Sequence, residues 1–353
     1  MKKMMILLAL ACAVSCMTVP PQTARNEKMN IVGESLVLAK TDPGVLCFDG
    51  VVKGSVTLRS TFVAGKAGGI VYTEGSDFVV DYAKGTIART AGSRIPDYST
   101  NVMYGLKDFD HTKLKEFTNH PWFVWADYQT IHGTPFAQPN DQSAYLVNVR
   151  KKLEAGGPFL IATYGDSITA GGEASEPDLR FQARYAKYLQ AKFPKAQIEV
   201  KDVSIPGYAS KDALSLFDKY IGTVEKPDLV LVGFGMNDHN IRCVEPDKYE
   251  ENLVTLTNMI RERKGADVIL FSTFPPNENW HYGTHRMALY AAAAKQAASK
   301  THCAYVDVYS TWDMVLQRKD QSSLLGNNIN HPNDFGHWLY EQAFEAMVMD
   351  SRP

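Results

Sequence analysis

Thr163-Tyr164-Gly165-Asp166-Ser167-Ile168-Thr169 is the stretch on which the reading of this chain turns. Before it stands an apolar run, Pro158-Phe159-Leu160-Ile161-Ala162, of the length and type of a fully buried strand. After it come Ala170, Gly171 and Gly172, small residues that let a backbone approach a ligand closely. A serine is thus expected in a tight turn at the carboxyl end of a buried strand. Open α/β sheets bind ligands in the crevice outside those strand ends.

Downstream, strand and helix patterns alternate. Leu160–Tyr164 reads as strand. Phe181, Tyr185, Leu189 and Phe193 recur every four residues on one helix face, which Pro194 ends. Then follow strand Gln197–Val203, helix Ser210–Tyr220, strand Asp228–Phe234 and helix Asp247–Lys264, stopped by Gly265. Strand Val268–Ser272, helix Thr284–Lys300, strand Cys303–Val308 and helix Asp334–Val348 complete the series. Five strands alternating with helices predict a parallel sheet covered on both faces, with right-handed crossovers.

Four segments of this region lie just after a strand or before the last helix. They are Gly165-Asp166-Ser167, Val203-Ser204-Ile205-Pro206-Gly207, Gly233-Phe234-Gly235-Met236-Asn237-Asp238 and His331-Pro332-Asn333-Asp334. Parallel topology brings them to one sheet edge. That edge would then hold a hydroxyl (Ser167), an imidazole (His331), an unobstructed backbone N–H (Gly207) and a side-chain amide (Asn237). Acyl transfer needs this set: a base to take the serine proton, and donors for the oxyanion of the tetrahedral intermediate. The Ser167 N–H would complete the donor group.

Together the four segments resemble the sequence blocks of the SGNH (GDSL-type) hydrolase superfamily, over residues 158 to 345. The resemblance implies a C-terminal flavodoxin-like α/β/α sandwich and a serine esterase that needs no cofactor. One position departs from the pattern. The family's acid, three residues before the histidine, is here Asn328. A Ser167–His331 dyad whose imidazole is held by a backbone carbonyl is the expectation. A carboxylate from elsewhere, or Asn328 itself, is the alternative.

Other residues are candidates for the substrate. Asp166 flanks the nucleophile, although stabilising its own turn is the plainer role. His239 follows Asn237-Asp238, and Trp280 and Tyr282 stand in the loop after the fourth strand, where rings could meet a sugar. His281 and His285 are four apart but lack a third ligand or an HExxH context, so no metal is expected. His337 suits helix packing. No lysine of a phosphate loop accompanies Gly171 and Gly172.

Upstream the texture is β. Runs at Ser35–Ala39, Val51–Ser60, Ile70–Thr73, Phe78–Tyr82 and Thr86–Thr90, separated by turn residues, predict a β-sandwich over residues 31–145. The aromatic run from His120 to Tyr128 would close it as core or offer its rings to a sugar. The hydrolase domain is expected over 155–353. All four blocks lie within it, so it is expected to hydrolyse small esters alone.

At the start, Lys2 and Lys3 precede an apolar stretch from Met4 to Val14, and Ala13-Val14-Ser15-Cys16 resembles a bacterial lipoprotein cleavage box. Residues 1–16 are read as the signal, with Cys16 lipidated, and residues 17–30 as a polar tether. The expectation is an exported, lipid-anchored envelope protein, or otherwise a periplasmic or secreted one. Of the remaining cysteines, Cys47, Cys243 and Cys303, at most two can pair within the chain.

The chain has 353 residues, with 37 Lys+Arg against 39 Asp+Glu, a balance that gives no footing for nucleic-acid binding. A hydrophobic share of 45% is that of a globular chain with ample core. The expected partner is an acylated carbohydrate, with acetyl as the acyl group. Lipolytic or thioester hydrolysis, and an inactive glycan-binding protein, are the alternatives.

Overall fold

The computed structural model describes residues 28–240 and 244–349. The signal, Cys16, nearly all of the tether and Cys243 lie outside the described residues. The N-terminal half is antiparallel. Its strands are β1 (Met29–Val37), β2 (Gly44–Val45), β3 (Thr57–Arg59), β4 (Val71–Tyr72), β5 (Phe78–Asp81), β6 (Thr86–Arg89) and β7 (Phe123–Thr130). They form a four-stranded sheet, β1-β7-β3-β4, and a three-stranded one, β2-β6-β5. Leu36, Leu46, Leu58, Phe78 and Ile87 are all buried in their core. Of the run Val51–Ser60, only Thr57–Arg59 forms a strand, while Val51 makes an isolated bridge to Thr130. In β7 the rings of Phe123, Trp125 and Tyr128 are buried, so the aromatic run is core rather than a sugar platform.

A short strand β8 (Asn140–Asp141) and helix α1 (Val147–Ala155) lead into the second half. There β9 (Gly157–Gly165), α2 (Phe181–Lys192), β10 (Ala196–Asp202), α3 (Ser210–Ser215), β11 (Leu229–Gly233), α4 (Met236–His239), α5 (Pro246–Lys264) and β12 (Asp267–Phe271) follow one another. The chain then runs through α6 (Met287–Thr301), β13 (Ala304–Val306), α7 (Val308–Leu316), α8 (Asp334–Glu345) and β14 (Met347–Val348). The parallel sheet has the order β10-β9-β11-β12-β13, the flavodoxin-like arrangement. Its strand order reverses at β9, so the crevice between the ends of β9 and β11 is the topological switch point. Helix α3 is shorter than its sequence pattern, because the chain turns into two 3₁₀ turns, Phe217–Lys219 and Ile221–Thr223.

The halves share one hydrophobic cluster running from Ile31 to Met349. They also share buried polar contacts. Ser35 Oγ donates to the Ser323 carbonyl at 2.5 Å, and the Val37 N–H donates to Ser323 Oγ at 3.1 Å. Lys319 Nζ stands 2.8 Å from Glu34 Oε1, both side chains fully buried. Glu34 further accepts the Cys47 N–H at 2.8 Å and the Tyr128 hydroxyl at 2.7 Å. Burial and the Glu34 charge push the Cys47 thiol well up, which keeps it protonated and inert. Cys47 and Cys303 are buried free thiols. No described helix is long and apolar enough to cross a membrane.

Removing one member of a buried ion pair strands the other charge. Lys319→Met is therefore expected to cost about 3–5 kcal/mol of stability in urea denaturation. A cost under about 1 kcal/mol, the worth of an exposed pair, would mean the bridge is dispensable.

Candidate active site

Strand β9 ends at Gly165, and the next turn is built by hydrogen bonds within itself. Asp166 Oδ1 accepts the Ile168 N–H at 2.9 Å, the Asp166 carbonyl accepts the Ala170 N–H at 3.0 Å, and the Ser167 carbonyl accepts the Gly172 N–H at 2.8 Å. Thr169 Oγ1 ties the turn to the end of β11 by donating to the Gly233 carbonyl at 2.9 Å. The result holds Ser167 half-exposed at the switch point.

Ser167 Oγ lies 2.6 Å from His331 Nε2. These two residues are 164 apart in sequence. Burial lowers the His331 pKa from its ordinary value, and the nearby Glu173 carboxylate opposes that shift. The ring is confined on its Cδ2 edge by Gly172. A Cβ there would stand 2.8 Å from His331 Cδ2 and 2.9 Å from the Ser167 carbonyl. His337 secures that backbone, its Nε2 lying 3.1 Å from the Gly172 carbonyl. Burial pushes the His337 pKa down to about 3, so it is neutral.

Two of the expected oxyanion donors, Gly207 and Asn237, stand in neighbouring segments. Gly207 adopts φ +78°, left-handed backbone that favours glycine, and it is exposed. Asn237 Nδ2 donates to the carbonyl of the neighbouring Tyr208 at 3.0 Å, which fixes the amide and leaves its second N–H. Asp238 accepts from the Ser210 N–H at 3.0 Å and from Ser210 Oγ at 2.5 Å, fastening the third block to α3.

The orienting partner of His331 differs from every expectation. It is neither a backbone carbonyl nor Asn328. Asn328 has φ +56°, its Oδ1 accepts from Asn119 Nδ2 at 3.1 Å, and its carbonyl accepts from Asn277 Nδ2 at 2.8 Å. The partner is Asn327. Its Oδ1 accepts the backbone N–H groups of Ile329, Asn330 and His331, each at 3.0 Å. With the oxygen so engaged, the NH₂ group faces His331 Nδ1. A donor at Nδ1 favours the tautomer whose proton sits on Nε2, pointing at the serine. The Asn327–Asn328 pair was visible in the sequence, but the turn that decides between them was not.

The three residues expected at the substrate are buried, which corrects that reading. Asp166 serves its turn, and burial pushes its carboxyl up to about 7. His239 Nδ1 lies 3.0 Å from the Met236 carbonyl, and its ring packs edge-on against Tyr290. Trp280 belongs to a small core with Met103, Phe109 and Ile329, and its Nε1 donates to His111 Nδ1 at 3.0 Å. An apolar ring beside a loop finds a core more readily than solvent.

Sequence reading missed the part that Asn119 and His120 of the N-terminal half play beside the site. Asn119 is buried against the segment that carries His331, and His120 Nε2 lies 2.7 Å from Glu173 Oε2. Residues outside 155–353 thus contact Glu173 and the segment that carries His331. One cavity, of about 680 Å³, is lined by Tyr98, Met103, Asn277, Gln321 and Asn328 among others. Among the described residues no cluster of ligating side chains could hold a metal ion.

The GDSL-like lipase/acylhydrolase family matches residues 163–339. Among solved structures the chain is similar to a mutant acetyl-xylooligosaccharide esterase from Geobacillus, 25% identical over 54% of this chain and 94% of that one, with a TM-score of 0.46. It is also similar to an acetylxylan esterase from Geobacillus stearothermophilus (24% identity, 56% and 100% covered, TM-score 0.46). A two-domain esterase active on acetylated mannans is 21% identical, with 60% and 53% covered and a TM-score of 0.48. No curated protein sequence matches the chain.

Gly172→Ala tests the confinement of His331. A displacement of the ring by an ångström is expected to lower kcat/KM on a small ester by about 10²-fold. An unchanged value would show that the turn yields without moving the imidazole.

Proposed function

The chain belongs to the GDSL-like lipase/acylhydrolase family and is a carboxylic ester hydrolase, and from that premise we propose that it removes O-acetyl groups from carbohydrate. Ser167 is the nucleophile, and the observation that carries this reading is its 2.6 Å contact with His331. The hydroxyl attacks the ester carbonyl while His331 takes its proton. Charge then develops on the carbonyl oxygen, where the Ser167 and Gly207 N–H groups and the Asn237 amide donate. Collapse expels the sugar hydroxyl, protonated by His331, and water repeats the sequence on the acetyl-enzyme. A half-exposed nucleophile at the sheet edge suits an ester borne on a bulky polymer.

A second reading has a specific observation in its favour. With the Asn327 NH₂ at Nδ1, the resting imidazole donates to Ser167 instead of accepting from it. Before His331 can act as base, its proton must move to Nδ1 and the amide must yield. In a serine protease triad, an amide in place of the carboxylate lowers kcat by about 10⁴-fold. A slow hydrolase, or a glycan-binding protein with an idle site, would follow. Export with a lipid on Cys16 is part of the proposal, motivated by the Lys2-Lys3 start and the apolar stretch before Cys16. Loss of detergent-phase partitioning in Cys16→Ala would support it, and unaltered partitioning would reject it.

Acetate release from acetylated polysaccharides, with Ser167→Ala as control, tests the main reading. Ser167→Ala is expected to abolish release, and wild-type-like release from it would remove the nucleophile assignment. Asn327→Asp supplies an acceptor at Nδ1 while keeping one oxygen for the three backbone N–H groups. It is expected to raise kcat by about 10²-fold or more, toward the factor an amide costs. No gain would mean that Asn327 does not control the tautomer. Failure of wild-type Ser167 to react with a fluorophosphonate, cured in Asn327→Asp, would favour the binding protein.

A further inference from the structure

We propose that Glu173, held from the N-terminal β-sandwich by His120, supplies His331 with the negative charge that neither Asn327 nor Asn328 can give, so that the antiparallel half completes the active site. The inference rests on the esterase reading and names two positioning residues for it. Glu173 is the next residue in the chain after Gly172, which confines the Cδ2 edge of the His331 ring. Its side chain lies against the start of the histidine loop. A Cβ built on Gly326 would stand 2.6 Å from Glu173 Cβ and 2.9 Å from its Oε2. Gly326 in turn donates its N–H to the His331 carbonyl at 2.9 Å.

Glu173 holds a strained backbone, φ +68°, in a region non-glycine residues rarely adopt. Its surroundings enforce that conformation. His120 Nε2 reaches Glu173 Oε2 at 2.7 Å from the 3₁₀ turn His120–Trp122 that precedes β7. The preceding residue, Asn119, grips the histidine loop. Its N–H donates to the Gly326 carbonyl at 2.7 Å, and its Nδ2 is shared by the Ser322 carbonyl at 3.1 Å, the Leu325 carbonyl at 3.0 Å and Asn328 Oδ1 at 3.1 Å. One turn of the β-sandwich thus holds both the loop carrying His331 and the carboxylate beside it.

The electrostatics agree. The His120 contact lowers the Glu173 pKa and raises that of His120, so the carboxylate is ionised at neutral pH. Glu173 opposes the lowering of His331 by burial. Other groups around the pair are accounted for. Asp334 acts on His120, is pushed up by burial and accepts the Ser175 N–H at 2.8 Å. His337 is neutral and feels Arg184 and Arg180. The imidazolium that forms during acyl transfer finds an NH₂ group at Nδ1, so its stabilising charge has to come through space.

The test uses the full chain, with the isosteric Glu173→Gln as its main variant. Glu173→Gln is expected to lower kcat about tenfold or more with KM within about twofold, because the charge acts on the transition state. The acidic limb of kcat/KM must move to lower pH, since the charge that raised His331 is gone. His120→Gln, which can still donate to Glu173, is expected to retain more activity than His120→Ala. Wild-type kcat in Glu173→Gln, or a fall in kcat with an unmoved limb, would overturn the proposal and leave Glu173 a structural partner of His120. The His331 titration, followed by imidazole NMR in Ser167→Ala with and without Glu173→Gln, reads the same coupling without activity. A downward shift supports the proposal and no shift overturns it. Absence of ester hydrolysis in both wild type and Asn327→Asp would instead sink the esterase reading, and the NMR arm would still decide the coupling.

Discussion

The contact between Ser167 Oγ and His331 Nε2 joins the end of the first parallel strand to the segment before the last helix. Everything near it serves to keep two distant loops in register. The flavodoxin-like strand order leaves a crevice at the end of β9, and Ser167 is the residue presented there. The histidine arrives on a loop with no regular secondary structure, so its position depends on side-chain and backbone hydrogen bonds. Asn327 supplies most of those within the loop, accepting three successive N–H groups on one oxygen. That same service dictates which face of the amide meets the imidazole. Geometry suited to a carboxylate is here occupied by a neutral group with a donor on one side, and the chemistry of the pair follows from that.

The antiparallel half is bound into this arrangement. The buried Glu34–Lys319 bridge, the Ser35–Ser323 contact and the Asn119 clamp all meet the stretch between residues 319 and 328. Such buried polar groups are costly unless fully paired, and here they are paired across the two halves. The stretch leading to His331 is thus folded against the β-sandwich rather than against its own domain alone. The loop is held by partners from both halves.

Much of the site could be read in the chain. Ser167, Gly207, Asn237 and His331 stand in segments whose type and order foretell a shared sheet edge, and the strands from Leu160 to Val308 fell within a few residues of their pattern. The misreadings have physical causes. Trp280, His239 and Asp166 look like cleft residues because they neighbour the motifs, yet each is buried where a core partner or a backbone donor was available. Val51–Ser60 has strand composition but forms a strand over Thr57–Arg59 only, since its neighbours decide the ladder. Asn328 occupied the expected position by count, while the amide that meets the imidazole is that of Asn327, and Asn328, with φ +56°, bonds Asn119 and Asn277 instead.

By itself the sequence determined the parallel sheet, its switch point and the serine and histidine that meet there, because buried runs and turn residues repeat with the period of their elements. It also determined that no acid stands three residues before His331. What orients the imidazole was decided only by tertiary structure, since amide polarity depends on where three backbone N–H groups point. The alliance of Asn119, His120 and Glu173 was likewise invisible. These residues come from separate halves of the chain, and no local pattern records a contact that forms only when the β-sandwich docks on the loop before α8.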